Sequence, residues 1–221
     1  MEKRRDSATA YIILADGFET IEALTPLDVL RRCGVEVTTR SLNQTRAVRS
    51  SHGVTVEADA TMEDFMHNCN CCASGTGTGT NTSNAGTSSS AGSSTTASST
   101  VRQALILPGG YPGYKNLCDS PEVGALITQF HKEGKLLCAI CGAPTALKAN
   151  QICRGAAITC HTSVKEELSD YYSILSSAVV KYMNIITGMG AGRSLEFAFA
   201  IAEALTSKEK VEEIKAKMEI I

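Results

Sequence analysis

Residues 135–150 read Lys-Leu-Leu-Cys-Ala-Ile-Cys-Gly-Ala-Pro-Thr-Ala-Leu-Lys-Ala-Asn. The apolar run from Lys135 to Ile140 predicts a buried strand, and Ala143 to Asn150 predicts a short helix, because Pro144 suits a first helical turn. A strand, a tight turn and a helix form the elbow that holds the nucleophile of many hydrolases. Cys141 stands at this corner, so the stretch predicts both an α/β unit and a candidate reactive residue.

Buried strands and helices alternate along the rest of the chain. The expected strands are 9–15, 35–42, 104–107, 156–160 and 179–187, with an extended pair at 48–58, and the expected helices are 20–33, 121–131, 194–205 and 207–218. This alternation predicts a parallel sheet with helices on both faces. Ligands bind at the carboxyl ends of the strands in such folds, so the residues after each strand are the candidates for function.

The composition favours one globular domain spanning residues 1–221. The chain has 221 residues, a formal charge of −2, and is 43% hydrophobic and 20% charged, which allows a sizeable core. The near-neutral charge argues against nucleic-acid binding. No apolar run reaches the roughly 20 residues of a membrane helix, so we expect a cytoplasmic protein. Its nine cysteines are then expected to be thiols rather than disulfides.

One segment interrupts this domain. Residues 73–100 consist only of Ala, Ser, Gly, Thr and Asn, so they have no large apolar side chain to bury and predict a flexible insertion. Just before it, four potential metal ligands lie close together: His67, Cys69, Cys71 and Cys72. No second pair follows, as a zinc site would usually require, so we expect no structural metal site there; adventitious metal binding or oxidation is the expected behaviour.

Cys141 has two readings from the sequence alone. A helix N-terminus next to the sulfur would favour the thiolate and lower its pKa, whereas a free cysteine is also among the most buried residue types. Cys138 lies three residues earlier on the strand, about 10 Å away, which is too far for a disulfide. We therefore interpret Cys138 as a core residue.

Two further sites lie near predicted strand ends. Glu22 is an acid on the apolar side of the first helix; if buried, it would hold a raised pKa and could carry a proton. Glu19, in the loop before it, is interpreted as a solvated acid. Gly109 and Gly110 follow a strand and would let backbone N–H groups approach an oxyanion. A solvated helix acid and a simple tight turn are the structural alternatives.

The last two candidates follow later strands. His161 could reach Cys141 as a hydrogen-bond partner, although a lone histidine is more often structural. Residues 188–193 read Gly-Met-Gly-Ala-Gly-Arg and imitate a dinucleotide fingerprint. Arg193 takes the place of the third glycine and no ribose-binding acid follows, so we expect no nicotinamide cofactor.

Five motifs occur together in one order. They are 15–22 (Ala-Asp-Gly-Phe-Glu-Thr-Ile-Glu) with 26–32 (Pro-Leu-Asp-Val-Leu-Arg-Arg), 107–110 (Leu-Pro-Gly-Gly), 139–147 (Ala-Ile-Cys-Gly-Ala-Pro-Thr-Ala-Leu), His161, and 190–198 (Gly-Ala-Gly-Arg-Ser-Leu-Glu-Phe-Ala). In this combination the chain resembles the ThiJ/PfpI superfamily, in its Parkinson disease protein 7 (protein deglycase) branch. The resemblance covers nearly the whole chain outside the insertion.

The resemblance implies a flavodoxin-like fold with a doubly wound, mostly parallel sheet and helices on both faces, usually in a homodimer. It also assigns roles to residues. The family's reactive cysteine falls on Cys141, its protonated glutamate on Glu22 and its nearby histidine on His161. Its glycine pair falls on Gly109 and Gly110. Two positions depart from related proteins: His52 or a neighbouring serine stands in place of a pocket arginine, and Gly142 stands where the peptidases and amidases have histidine.

The implied activity is that of a glutathione-independent glyoxalase or protein deglycase, a lyase- or hydrolase-type enzyme that protects against oxidative stress. Its substrates would be methylglyoxal, glyoxal or their early adducts on protein side chains. Cys141, Glu22 and His161 would act as catalytic residues, and backbone N–H groups near Gly109, Gly110 and Gly142 would bind the oxyanion, without a cofactor. A redox-sensing cysteine protein or holdase chaperone is the alternative; the glycine at 142 makes a cysteine peptidase or amidase the weakest interpretation.

Overall fold

The computed structural model describes residues 8–64 and 102–220. The predicted insertion and the cysteine cluster before it lie outside these residues. A seven-stranded sheet forms the centre, in the order β10-β11-β7-β6-β1-β2-β5. The strands are β1 (Ala8–Leu14), β2 (Glu36–Ser41), β3 (Ala47–Arg49), β4 (Thr55–Glu57), β5 (Ala60–Thr61), β6 (Arg102–Leu107), β7 (Leu136–Ile140), β8 (Ala157–Ile158), β9 (Ser173–Ile174), β10 (Val179–Tyr182) and β11 (Ile185–Gly188).

The sheet is parallel except at one edge. β1 pairs in parallel with both β2 and β6, and β6 pairs with β7, which in turn pairs with β11. Only β10 runs antiparallel, against β11. The parallel sheet expected from the alternating pattern is therefore confirmed, and the one antiparallel strand makes it the mostly parallel sheet that the family resemblance implies.

Helices cover both faces of the sheet. They are α1 (Thr20–Arg32), α2 (Gly113–Asp119), α3 (Pro121–Lys132), α4 (Pro144–Ala149), α5 (Lys165–Leu168), α6 (Ser194–Leu205) and α7 (Lys208–Lys217), with short 3₁₀ turns at Thr162–Val164 and Ala191–Arg193. α1, α6 and α7 share one apolar cluster with alternate residues of β1, and α2, α3 and α4 share the other with the opposite side of β6 and β7. No described helix is long and apolar enough to cross a membrane.

The central strands are apolar on both sides because both sides are covered. In β7, residues 137–140 are fully buried. Cys138 is one of them and is therefore a core thiol, as expected. The six cysteines in the described part of the chain are all free. The helix at Pro121 also begins as predicted, since the Ser120 hydroxyl accepts a hydrogen bond from the Val123 N–H.

Two strand predictions were wrong. The single strand expected over 179–187 is a hairpin, β10 and β11, which turns at Met183 with a positive φ of 50°. The strand expected over 156–160 shrinks to the two residues of β8, which pairs with β9 outside the central sheet. Apolar and β-branched residues mark burial. They mark neither the point at which the chain reverses, as at Met183, nor the strand with which a buried segment pairs, as at β8. The extended pair expected over 48–58 is the β3–β4 hairpin.

Candidate active site

Three segments meet at one edge of the central sheet, where parallel strands end. Cys141 follows β7, Gly109 and Gly110 follow β6, and α1 begins a few residues after β1. β1, β6 and β7 are neighbours in the sheet, so their carboxyl ends lie side by side. This is the edge at which ligands bind in folds of this class.

Cys141 occupies a strained position at the end of β7. Its φ of 66° lies in the left-handed region, which residues other than glycine rarely adopt. Two hydrogen bonds hold it there: its N–H donates to the Gly188 carbonyl at 3.0 Å, and its carbonyl accepts from the His161 N–H at 2.9 Å. The neighbouring segments thus clamp the residue on both sides, which confirms the elbow.

Glu22 is the buried acid of the site. It lies in the first turn of α1 with 0% exposure, and its Oε2 accepts a hydrogen bond of 2.8 Å from the Gly109 N–H. Its Oε1 is also buried but has no hydrogen-bond partner of good geometry among residues 8–64 and 102–220. A buried carboxyl whose second oxygen has no hydrogen-bond partner can accept or release a proton there.

Glu19 determines where Glu22 points. It is the N-cap of α1, and its Oε2 accepts a hydrogen bond of 2.8 Å from the Glu22 N–H. The expectation that Glu19 is an ordinary solvated acid was wrong, since its side chain is only 15% exposed. His52 is its neighbour on the outer side, with Nδ1 4.0 Å from Glu19 Oε1 and 3.1 Å from the Ser51 hydroxyl. The capping bond fixes the first helical turn, which directs Glu22 inward.

Burial raises the pKa of Glu22 to about 7. The loss of water disfavours the carboxylate most strongly, and the charge of Glu19 adds to this effect. Hydrogen bonding to the Cys141 thiol and to the Gly109 N–H acts in the opposite direction. Glu22 can therefore both accept and release a proton near neutral pH, as predicted for a buried acid.

The pKa of Cys141 is raised, to about 12, so the predicted lowering was wrong. Burial is the largest cause, followed by the charge of Glu22 and its hydrogen bond with the thiol. The N–H groups of Gly110 and Gly142 lower the pKa but do not compensate. α4 begins only at Pro144 and has six residues, so its dipole is too short and too distant to outweigh these effects. The resting sulfur is a thiol beside a proton acceptor.

Glycine is required at both positions after β6. A Cβ on Gly109 would lie 2.6 Å from the Cys141 Cβ and 2.7 Å from Glu22 Oε2. Gly110 has a φ of +90°, and a Cβ there would lie 2.3 Å from the Glu19 N. The absence of side chains lets the backbone N–H groups approach the Glu22 carboxyl and the Cys141 sulfur; their role in binding an oxyanion stays a prediction.

His161 lies beside Cys141 through its backbone, while its side chain points elsewhere. Its Nδ1 accepts a hydrogen bond from the Ser163 N–H at 3.2 Å and lies 2.8 Å from the Ser163 hydroxyl. The residue is exposed, and no hydrogen bond joins its ring to Cys141 in the described part of the chain. The structure thus brings Cys141, Glu22, Gly109, Gly110 and Gly142 together, with His161 at their border.

One neighbour of the site was not predicted. The ring of Tyr114, in α2, packs against Gly142, where an added Cβ would lie 2.7 Å from the ring atoms Cγ and Cδ1. Tyr111 and Tyr114 follow the glycine pair at a spacing of three, which was the available signal. It went unused because no helix was predicted there. Among the described residues, no group of three or more His, Cys, Asp and Glu side chains is arranged to hold a metal.

The sequence profile of the DJ-1/PfpI family matches residues 8–204. The chain belongs to the DJ-1/PfpI family. It is 33% identical to Protein dj-1beta of Drosophila melanogaster over 209 residues, covering 94% of this chain and 95% of that protein. It is 32% identical to the Parkinson disease protein 7 homolog of Danio rerio over 211 residues, covering 95% of each.

The fold comparison agrees with this membership. The crystal structure of Drosophila melanogaster DJ-1beta superposes with a TM-score of 0.79 at 31% identity, covering 97% of this chain and 99% of that one. A shorter match, 39% identical over 107 residues, is with the glutathione-independent glyoxalase DJR-1.2 of Caenorhabditis elegans and covers 48% of this chain and 56% of that protein. The family resemblance and the flavodoxin-like fold expected from the sequence are confirmed.

Proposed function

We propose that this DJ-1/PfpI family member is a glutathione-independent glyoxalase that converts methylglyoxal to lactate and glyoxal to glycolate. Cys141 is the nucleophile and Glu22 carries the protons. The observation that supports this most strongly is the fully buried Glu22 carboxyl beside the Cys141 thiol, with a pKa raised to about 7. The glyoxalase name of the Caenorhabditis elegans relative is consistent with the same chemistry.

The first step needs a base because the pKa of the Cys141 thiol is raised. Ionised Glu22 accepts the thiol proton as the sulfur bonds to the aldehyde carbon, and the carbonyl electron pair moves onto its oxygen. The N–H groups of Gly110 and Gly142 donate hydrogen bonds to the sulfur in the resting site. In this step they stabilise the oxyanion. Protonated Glu22 then returns its proton to the oxyanion, which gives a hemithioacetal.

The second step moves hydrogen between the two substrate carbons. Glu22 removes the hydrogen of the former aldehyde carbon as a proton, which leaves an enediolate, and a proton passes between the two oxygens. Glu22 then protonates the adjacent carbon, which gives a thioester of lactate on Cys141. Water adds to the thioester carbon, its remaining proton goes to the sulfur, and lactate leaves with the thiol restored. The aldehyde carbon loses two electrons and the adjacent ketone carbon gains two, so the reaction needs no redox cofactor.

The same chemistry extends to early glyoxal adducts on protein side chains, which would make the protein a deglycase. The exposed edge of the site is bordered by His161, whose backbone N–H holds the Cys141 carbonyl at 2.9 Å. We assign His161 to positioning Cys141 through this bond. A cysteine peptidase or amidase is not favoured, because Gly142 supplies no imidazole after the nucleophile and the His161 ring bonds to Ser163.

A homodimer, which the family resemblance implies, is also part of the proposal. Ile21 in α1 is 49% exposed and Val54, before β4, is 46% exposed. The Ser51 N–H donates to the Phe18 carbonyl at 2.8 Å, which holds the β3–β4 turn against the start of α1. Light scattering should give twice the chain mass, and Ile21→Asp should give the monomer mass if this surface is the interface.

A redox sensor or holdase chaperone is the second candidate. It is supported by the part-buried thiol of Cys141, near two N–H groups that could hold an oxidised sulfur. Peroxide oxidises the thiolate, however, and the raised pKa of Cys141 keeps the thiol protonated. This favours the enzyme, in which Glu22 removes the proton only as the bond to carbon forms.

Lactate formation from methylglyoxal without glutathione tests the proposal. Fully reduced protein should form many equivalents of lactate per chain, and Cys141→Ser should form none. Cys153→Ser is the matched control, because Cys153 is another part-buried free thiol, and it should keep the wild-type rate. A well-folded wild type that forms no more than one equivalent, yet changes its binding of unfolded clients after mild peroxide, would support the sensor instead.

A further inference from the structure

Two tyrosines form an aromatic surface next to the reactive cysteine. Tyr111 directly follows Gly110, whose N–H acts on the Cys141 sulfur, and Tyr114 lies one turn further in α2. Their ring centroids are 6.3 Å apart with an interplanar angle of 56°. This distance and tilt are those of interacting aromatic rings, so the two side chains form one surface, which we call the tyrosine pair.

Tyr114 brings this surface against the elbow itself. Its ring fills the space where residue 142 would carry a side chain, since a Cβ on Gly142 would lie 2.7 Å from two ring atoms. Gly142 is bonded to Cys141 and supplies one of the two N–H groups directed at the sulfur. Burial raises the pKa of the Tyr114 hydroxyl, and a charge on Cys141, when the thiol ionises, adds to this effect, so the two side chains lie within electrostatic reach. The ring therefore borders the reacting centre.

Tyr111 extends the surface into solvent. It is 67% exposed, the most exposed aromatic side chain among the large apolar residues in the described part of the chain. The Lys115 Nζ lies 5.7 Å from its ring centroid, which orients the ring but leaves most of it uncovered. This mostly uncovered ring next to Tyr114 offers a stacking surface that a two- or three-carbon aldehyde cannot cover.

We propose that the tyrosine pair makes the site selective for α-oxoaldehydes whose ketone carbon carries a planar aromatic group, with phenylglyoxal as the simplest example. This inference rests on the proposed glyoxalase function and names its substrate class. The aldehyde carbon bonds to Cys141 while the aromatic substituent lies on Tyr114 and Tyr111. The reaction is balanced as before: phenylglyoxal and one water give mandelate, with both electrons moving inside the substrate.

Substrate selectivity in tyrosine variants tests the assignment. Wild type should show a higher kcat/KM for phenylglyoxal than for methylglyoxal. Tyr114→Ala and Tyr111→Ala should each lower the value for phenylglyoxal by about two- to tenfold more than the value for methylglyoxal, which is the usual worth of one aromatic contact. Tyr114→Phe, which keeps the ring, should retain the preference. Tyr182→Ala is the control, since Tyr182 pairs with Ile185 at the far end of the β10–β11 hairpin.

Equal losses for both substrates in Tyr111→Ala and Tyr114→Ala would overturn the inference, because the tyrosines would then support the site without selecting the substrate. Equal kcat/KM values for the two substrates in wild type would overturn it as well. Tyr111 is largely exposed, so its variant should fold even if Tyr114→Ala does not.

A binding measurement separates this inference from the proposed function. Calorimetry on wild type should show tighter binding of mandelate than of lactate, and Tyr111→Ala should reduce the difference by about two- to tenfold. If wild type turns over neither aldehyde but keeps this difference, the glyoxalase proposal fails and the aromatic subsite stands. If both products bind alike, the subsite is wrong whatever the turnover.

Discussion

The carboxyl of Glu22 accepts a hydrogen bond of 2.8 Å from the backbone N–H of Gly109, 87 residues away in the sequence. This bond joins the first turn of α1 to the segment after β6, and it satisfies Oε2 in a buried position. Among the described residues, Oε1 has no regular hydrogen-bond partner, and the carboxyl lies within hydrogen-bonding reach of the Cys141 thiol. The same contact that secures the carboxyl thus leaves half of it available for proton transfer.

Glu22→Gln should stabilise the protein at alkaline pH. The pKa of Glu22 is about 7 in the fold and near 4.5 in an exposed chain, so the native state holds a proton that the unfolded state releases between these pH values. Stability conferred by the neutral acid is complete below pH 4.5 and is lost as the pH rises through 7. The free energy of unfolding of wild type should fall by about 2 to 3 kcal/mol more than that of the variant between pH 5 and pH 8.

Urea unfolding at the two pH values measures this difference. Glu209→Gln is a control, because its carboxyl lies in the exposed first turn of α7. Because this variant keeps Glu22, it should lose stability between pH 5 and pH 8 as wild type does. Parallel pH curves for wild type and Glu22→Gln would mean that Glu22 is not held neutral in the fold.

The rate on methylglyoxal should rise with pH and level off above an inflection near pH 7. Only ionised Glu22 can accept the thiol proton, and its pKa is about 7. The charge of Glu19 contributes to the raised pKa of Glu22, so Glu19→Gln should move the inflection in kcat/KM to lower pH. An inflection that does not respond to this variant would assign the titration to another group.

Gly109→Ala should abolish activity even if the protein folds. The added Cβ would lie 2.6 Å from the Cys141 Cβ and 2.7 Å from Glu22 Oε2, so both side chains must move apart. Overpacking of this kind costs about 1–3 kcal/mol of stability. Gly192→Ala is the matched control, because nothing lies within 4 Å of its added Cβ. Lactate assays and thermal unfolding check both effects, and an active Gly109→Ala would contradict the close approach.

Gly142→Ala should cost about 1–3 kcal/mol of stability in wild type and much less in the Tyr114→Ala background. The added Cβ would lie 2.7 Å from the Tyr114 ring, so removing the ring removes the clash. Urea unfolding of the two single variants and the double variant gives this coupling. Additive effects would show that the ring does not rest on Gly142 in solution.

Local patterns predicted the framework of the site well. The apolar run ending at Ile140, the small residues after it and Pro144 determine the elbow within ten residues, so Cys141 could be located from the sequence. Gly109 and Gly110 were identified because they form a glycine pair directly after a strand. Glu22 was identified because it is an acid on the apolar side of a helix. These features depend only on the conformational preferences of neighbouring residues and on the spacing of apolar residues, both of which the sequence shows directly.

Effects that depend on distant segments could not be predicted. The pKa of Cys141 is raised by burial and by the charge and hydrogen bond of Glu22, which lies more than 100 residues away in the sequence. The role of Glu19 as a cap and the contact of Tyr114 with Gly142 likewise depend on packing between elements. The hairpin at Met183 was missed because a continuous apolar run hides a reversal of the chain.

Lactate formation from methylglyoxal by Glu22→Gln, Cys141→Ser and the double variant tests most directly whether the two residues act as one unit. If Glu22 deprotonates Cys141 and carries the substrate proton, each single variant should lose nearly all of kcat, and the double variant should be no slower than either by more than about threefold. Losses that multiply in the double variant, or a Glu22→Gln variant that keeps the wild-type kcat, would contradict the mechanism.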